Sequence, residues 1–299
     1  MFVATDLHGH THFSDGRATP EEFVAFRAQL GMKVISVSDH DVLTAVRPVA
    51  RAAAEHGMRV LPAMEATSFI HFGTPDAEQV HLLAYWPARM ALDGSLEKTV
   101  LFRRGQRLQE LWRGFVLEWL DTLAATDRDA LNPGRLMERV AVEHFPALQT
   151  MIDRIASRRR ELFDAFRKEH IRFWEAGTEL FSWSPEELMD VIRADGAVDV
   201  VAHPVRYRDK ERLEQVIQRA QGVEVYTSRH KAEVAQRFRA QATELGKLWT
   251  ASSDDHQNAR YIRPPCGTPV ATLARLLDEE VPAEWAHAEQ VFAEAAASP

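Results

Sequence analysis

The stretch 6-DLHGHTHFSDGRATPEE-22 sets three histidines, His8, His10 and His12, at alternate positions, follows them with Asp15 in a turn, and then opens a helix. Imidazoles repel one another when charged and are costly in a dry core when unpaired, so the group calls for a common partner. The residues leading into it, 2-FVATDLH-8, read as a strand. Those leaving it carry a helix start: Thr19 as N-cap, Pro20 as the first helical residue, Glu22 at the capping-box position, and Gly31 as the stop. A strand that delivers polar residues into a turn ahead of a helix is the repeating unit of α/β folds, whose sites lie beyond the C-terminal ends of the strands.

Outward from this unit the same rhythm continues. 33-KVISVSDHD-41 reads as a strand, 45-AVRPVARAAAEHG-57 as a helix interrupted early by Pro48, and 59-RVLPAMEAT-67 and 78-EQVHLLAYW-86 as strands. Near residue 97 the rhythm stops. From there to about Gly177 the pattern is helical, with Leu108, Leu111, Trp112, Phe115, Trp119 and Leu123 at three- and four-residue spacing and a break around Pro133. The β/α alternation resumes with a second capping box, Ser184 and Glu187, then strands in 197-AVDVVAHP-204, 222-GVEVYTS-228 and 247-KLWTASSDDH-256 separated by helices. The expected organisation is one discontinuous α/β domain, residues 1–95 and 180–299, interrupted by a helical insertion over 96–179.

A chain of 299 residues that is 45% hydrophobic can bury a sizeable core. No apolar run approaches the length of a membrane span, and the N-terminus lacks the features of a secretory signal. Cys266 is the only cysteine, so an internal disulfide is excluded; it reads as a packed thiol, and a cytoplasmic location is expected. A net charge of −8 argues against a broad basic surface for nucleic acid. An anionic substrate would need a local basic pocket or metal ions.

The polar residues supply that alternative. The predicted strands run into His8 and His10, into Asp39, His40 and Asp41, into Glu65, past His81, into His203, and into Asp254 and His256. Imidazole and carboxylate are the usual ligands of zinc, manganese and iron. Residues i and i+2 of a strand share a face. His8 and His10 can therefore chelate together, and Asp254 and His256 can do the same with Asp255 opposite, while the turn at Ser14–Gly16 can swing Asp15 in. His12 lies past the strand end and is set aside. His56, His71, His144, His170 and His287 read as ordinary helical or loop residues.

Taken in order, "DLHGHTHFSDG", "SVSDHD", the glutamate of "LPAMEAT", "HLLAY", "VAHPVRY", "GVEVYTSRH" and "SSDDH" resemble the PHP family, the polymerase-and-histidinol-phosphatase metallohydrolases. The similarity covers about residues 3–85 and 180–270, and it is greatest to the branch that acts on nucleoside phosphates and RNA 5′ ends. It implies an α/β fold, a distorted (β/α)7 barrel here carrying the helical insertion, with two or three divalent ions of manganese, iron or zinc. It implies one ion held by His8, His10, Glu65 and Asp254, a second by Asp15, His40 and His256, and a third by a bridging Glu65 with His81 and His203. Asp15, His40, Glu65 and Asp254 are the implied catalytic residues.

The expected activity is hydrolysis of a phosphomonoester of a nucleotide or nucleoside bisphosphate by a hydroxide that paired metals generate. Alternatives are a 5′-3′ exonuclease on short RNA or DNA, a histidinol-phosphate phosphatase, and a non-catalytic scaffold stabilised by metal. Arg206, Arg229 and His230 are candidates for holding the phosphate. Arg103 and Arg107, on one face of the insertion's first helix, are candidates for a second phosphate or the next nucleotide, because a guanidinium can bind phosphate with two hydrogen bonds.

Overall fold

The structure is a computed structural model that describes residues 1–131, 155, 160–176, 179–258 and 267–287. Its elements in chain order are β1 (Phe2–Asp6), α1 (Pro20–Gln29), β2 (Val34–Ile35), α2 (Val46–Glu55), β3 (Arg59–Val60), β4 (Ala63–Ile70), β5 (Glu78–Tyr85), α3 (Met90–Asp93), α4 (Val100–Asp121), α5 (Ala125–Leu131) and α6 (Arg160–Ala176). They continue with α7 (Pro185–Ala194), β6 (Val198–Val201), α8 (Lys210–Arg219), β7 (Gly222–Tyr226), α9 (Ala232–Glu244), β8 (Leu248–Ala251), β9 (Gly267–Pro269), α10 (Val270–Leu277) and β10 (Ala286–His287).

Local chemistry sets the helix starts. Thr19 and Ser184 each accept from the N–H three residues on, while Glu22 and Glu187 reach back to the cap N–H, so both capping boxes are formed. Pro48 does not interrupt α2. It falls at the third helical position, where the missing N–H has no intrahelical acceptor to lose.

The strands form two open sheets with a mixed α/β arrangement, in the orders β10-β1-β2-β3, with β9 also against β1, and β4-β5-β6-β7-β8. Among the described residues the pairing does not close into the continuous ring that a (β/α)7 barrel requires. Nor is it wholly parallel. β1-β2-β3 and β6-β7-β8 are parallel, but β5 runs antiparallel to both β4 and β6, as β9 and β10 do to β1. The reason is loop length: residues 71–77 join β4 to β5, too short for a crossover helix, so the pair folds as a hairpin. On the site side the two sheets are joined by single bridges, Gly9 to Asp255 and His40 to Glu65.

The main core lies between the sheets and α1, α2, α7, α8 and α9, with Phe23, Val49, Met64, Leu82, Ile192 and Val223 fully buried. A second cluster belongs to the helical segment: Leu108, Trp112, Val116 and Trp119 of α4 pack with Phe166 and Phe173 of α6, and reach Val42 and Phe69 beside the sheets. Leu108, Trp112 and Trp119 of the expected stripe are buried, Leu111 and Phe115 are partly buried beside them, and Leu123 lies just past the end of α4. No described helix is long and apolar enough to cross a membrane. Cys266 and His144 lie outside the described residues.

Candidate metal centre

Glu65 is the hub. It is the third residue of the eight-residue β4, buried, and its two oxygens meet different histidines. Oε2 lies 3.0 Å from His8 Nε2, 3.1 Å from His10 Nε2 and 3.3 Å from His40 Nδ1. Oε1 lies 2.6 Å from His81 Nδ1 and 2.7 Å from His203 Nε2. Glu65 and His81 are thus not at strand ends. The antiparallel pairing sets the fourth residue of β5 opposite Thr67, and this brings His81 to the hub from within its strand.

Asp254 and Asp15 complete the group. Asp254 Oδ1 is 3.3 Å from His10 Nε2 and 3.6 Å from His8 Nε2. Asp15 Oδ2 is 3.2 Å from His256 Nε2 and 3.6 Å from His40 Nε2, and its Oδ1 is 3.6 Å from His10 Nδ1. Three sets of donor atoms, each within 4.8 Å of one another, result: His8, His10, Glu65 and Asp254; His10, Asp15, His40 and His256; and His40, Glu65 and His81. His10 and His40 each face two sets through different ring nitrogens. His203 joins by its contact with Glu65. His12 is elsewhere, with Nδ1 3.2 Å from the Ala18 carbonyl.

These donors fit cations. His8 Nδ1 lies 2.9 Å from Glu224 Oε1, a contact that requires the proton on Nδ1. The neutral ring then aims the Nε2 lone pair at Glu65, Asp254 and, 3.3 Å away, His10 Nε2. Converging acceptors repel unless a proton or a metal lies between them. Among the described residues, His10 Nδ1, His81 Nε2 and His203 Nδ1 are also buried without a hydrogen-bond partner, as ring nitrogens awaiting a metal would be.

Electrostatics follow from this crowding. Burial alone would lower His10, but Asp15, Asp254 and Glu65 outweigh it and carry it up to about 10. His8 and His40 rise for the same reason. Burial wins at His81, which falls to about 4. Against the opposing effect of burial, the histidines hold Asp15, Glu65 and Asp254 below the usual carboxylate range.

The neighbouring carboxylates position the ligands. Asp39 accepts from Thr11 N–H and from the hydroxyls of Thr11 and Ser14, fixing the turn that carries Asp15. Asp41 accepts from the Thr67 N–H and hydroxyl. Asp255 takes the N–H groups of Gln257 and Asn258 and faces buried Arg27 rather than the Glu65 cluster, although β8 ends at Ala251 and the strand expected through His256 stops short of both aspartates. Asp41, His203 and Asp254 hold positive φ angles of 56°, 28° and 56°, costly conformations for residues other than glycine that cluster at functional sites. Glu224 is the residue sequence reading missed. It orients His8 and accepts the His203 N–H at 2.6 Å. A carboxylate in the middle of the apolar strand Gly222–Tyr226 was the available signal.

The proposed substrate residues divide. Arg229 is paired with Asp254 and half-exposed. Arg206 lines a cavity of about 220 Å³ together with His81, His203 and Tyr207. His230 donates from Nδ1 to the Val225 carbonyl and stacks on Phe238. Arg103 and Arg107 point to solvent, toward the Lys98 carbonyl and Glu110 respectively; the arginine that α4 turns inward is Arg104.

A family model described as "PHP domain" matches residues 6–266. A 3′,5′-nucleoside bisphosphate phosphatase of Chromobacterium violaceum is 28% identical over 263 residues, 84% of this chain and 86% of its own length. A 5′-3′ exoribonuclease of Escherichia coli is 26% identical over 213 residues, 69% of this chain and 67% of its own. A solved structure from Bifidobacterium adolescentis, described as a metal-dependent phosphoesterase, superposes with a TM-score of 0.62 at 22% identity, covering 94% of this chain and 97% of its own.

Proposed function

The chain belongs to the PHP domain family, and from that premise we propose that it is a metal-dependent phosphoesterase that removes a phosphate from a nucleotide or nucleoside bisphosphate. The observation that carries this reading is the convergence of six histidines on Glu65, Asp15 and Asp254, with three ring nitrogens, on His10, His81 and His203, buried and unpartnered among the described residues. His8, His10, Glu65 and Asp254 would hold one ion, and Asp15, His40 and His256 a second. Glu65 with His81 and His203 would hold a third. Manganese, iron or zinc held there would supply Lewis-acid activation of water and neutralisation of phosphoryl charge. His40 and Glu65 each belong to two of the three donor sets and Asp15 and Asp254 to one each; we take the four as the catalytic core.

The protein's part is to fix that core and receive the phosphate. Glu224 holds His8 in the tautomer that leaves Nε2 free. Arg229 braces Asp254 with its remaining surface open, and Arg206 stands at the mouth beside His81 and His203; both are suited to phosphoryl oxygens. His230, with a buried unpartnered Nε2, and the exposed pair Arg103 and Arg107 are the further substrate-side candidates. We take residues 96–179 as an insertion in a discontinuous domain of 1–95 and 180–299. We read the two sheets, open but bridged at Gly9–Asp255 and His40–Glu65, as the halves of a distorted (β/α)7 barrel.

The bisphosphate reading is supported by the Chromobacterium violaceum relative, which matches most of both chains. The second reading, a 5′-3′ exonuclease on short RNA, is supported by the shorter match to the Escherichia coli enzyme. Phosphate release with manganese, measured on nucleoside bisphosphates, mononucleotides, histidinol phosphate and 5′-phosphorylated oligonucleotides, separates them. The expected result is release from a bisphosphate and at least two metal equivalents in protein purified without chelator. Oligonucleotide shortening without release from bisphosphates selects the exonuclease, and absence of hydrolysis on all substrates leaves a scaffold.

A further inference from the structure

α4 turns Arg104 into the protein between the exposed Arg103 and Arg107; it is 5% exposed. One guanidinium there ties four segments together. Nε donates to the Leu180 carbonyl at 2.9 Å, Nη2 donates to the Thr67 carbonyl at 2.7 Å, and Nη1 lies 3.2 Å from Asp41 Oδ1. The plane also lies 4.8 Å from the Trp183 ring. Arg104 thus joins the start of the helical segment to its exit, to β4 two residues past Glu65, and to the residue after His40.

Asp41 is held from the other side as well. Its carboxylate takes the Thr67 N–H at 2.8 Å and hydroxyl at 2.6 Å, and its own N–H donates to the Glu65 carbonyl at 3.0 Å. The backbones of α4 and this loop touch: a Cβ added to Gly105 would stand 2.6 Å from the Asp41 carbonyl oxygen. The Arg104 and Asp41 side chains are both almost fully buried, so removing one leaves the other as an uncompensated charge beside His40.

We propose that Arg104 is a positioning residue that acts through Asp41 to set His40 against Glu65, so that docking of the helical segment completes the two metal groups that His40 faces. The inference rests on the metal-centre reading above. It gives the helical segment a role at the site that does not require its exposed arginines to reach substrate. A purely structural anchor would cost thermal stability alone; a positioning residue must also alter metal affinity in the folded protein.

The test is a cycle of Arg104→Met, Asp41→Asn and the double variant, with Arg104→Lys added. Manganese binding is followed by calorimetry and elemental analysis, and folding by circular dichroism. Arg104→Met is expected to weaken manganese binding at the sites that include His40 by tenfold or more and to leave the site of His8, His10, Glu65 and Asp254 within about threefold. Asp41→Asn should do likewise, and the double variant should be no worse than the weaker single, because the two act as one unit. Arg104→Lys keeps the charge but loses the fork, and should recover part of the affinity; it carries the comparison if Arg104→Met does not fold. Folded variants that bind manganese as the wild type does, or losses that multiply in the double variant, overturn the proposal and leave the phosphoesterase reading standing. Wild-type protein that binds manganese without hydrolysing any phosphate ester sinks that reading and leaves Arg104 in its role.

Discussion

At Asp254 the backbone takes φ 56°, a conformation aspartate and asparagine accept more readily than most residues. Its carboxylate meets His10, His8 and Arg229 at once. Asp254→Asn therefore keeps the shape and the backbone while removing the charge. Phosphate release is expected to fall by about 100-fold or more, the typical worth of a central electrostatic stabiliser, with circular dichroism unchanged. His56→Ala, on an exposed residue at the end of α2, should leave activity within about twofold; equal activity of the two variants would remove Asp254 from the site. Glu224→Gln addresses the histidine ligand from behind. It loses the charge that fixes the His8 tautomer, and metal affinity should drop about 10- to 100-fold, read by competition with a chelating dye.

Within α4 two glycines face opposite situations. Glycine inside a helix normally costs about 1 kcal/mol relative to alanine. A Cβ at Gly114 would meet nothing within 4 Å, so Gly114→Ala should stabilise by about 0.5–1 kcal/mol. A Cβ at Gly105 would press on the Asp41 carbonyl at 2.6 Å and the Val42 Cα at 3.3 Å. Backbone cannot give way as a side chain can, and Gly105→Ala should destabilise by about 1–3 kcal/mol. Denaturant melts decide the sign of each. Two stabilising outcomes would mean that α4 does not lie against the His40 loop as described.

Across the molecule the metal centre couples proton, metal and folding equilibria. In protein stripped of metal, His8, His10 and His40 bind protons more tightly folded than unfolded, His10 up to about 10. Groups raised in this way stabilise fully below their unfolded value of about 6.5 and lose the contribution as pH climbs through the folded value. His81, lowered by burial to about 4, changes its contribution only below about pH 6.5 and does not affect that interval. The melting temperature of the metal-free protein should therefore fall between pH 6.5 and 9.5. With manganese present the decline should be smaller, since ions bind the deprotonated rings and stabilise the folded state by mass action. A metal-free melting temperature that rises over this interval would contradict the charge arrangement around Glu65.

The sequence by itself determined what depends on near neighbours. His8 and His10 stand two residues apart in the polar run that follows β1 and meet Glu65 together, and the helix starts at Thr19 and Ser184 follow from caps that close within three residues. The chemistry of the centre was legible for a related reason, since seven of the nine ligands lie in short polar runs that follow strands, while Glu65 and His81 lie inside β4 and β5. Only the tertiary structure decided what the neighbours of these ligands hold. It set Asp255 against Arg27, Asp39 against Thr11 and Ser14 and Asp41 against Thr67, and buried Arg104 rather than Arg103. It also brought Glu224 to His8 across 216 residues of chain and reversed β5 so that His81 reaches the hub from mid-strand. These outcomes depend on packing and strand pairing between distant segments, where a rotation of one residue exchanges the buried face for the exposed one.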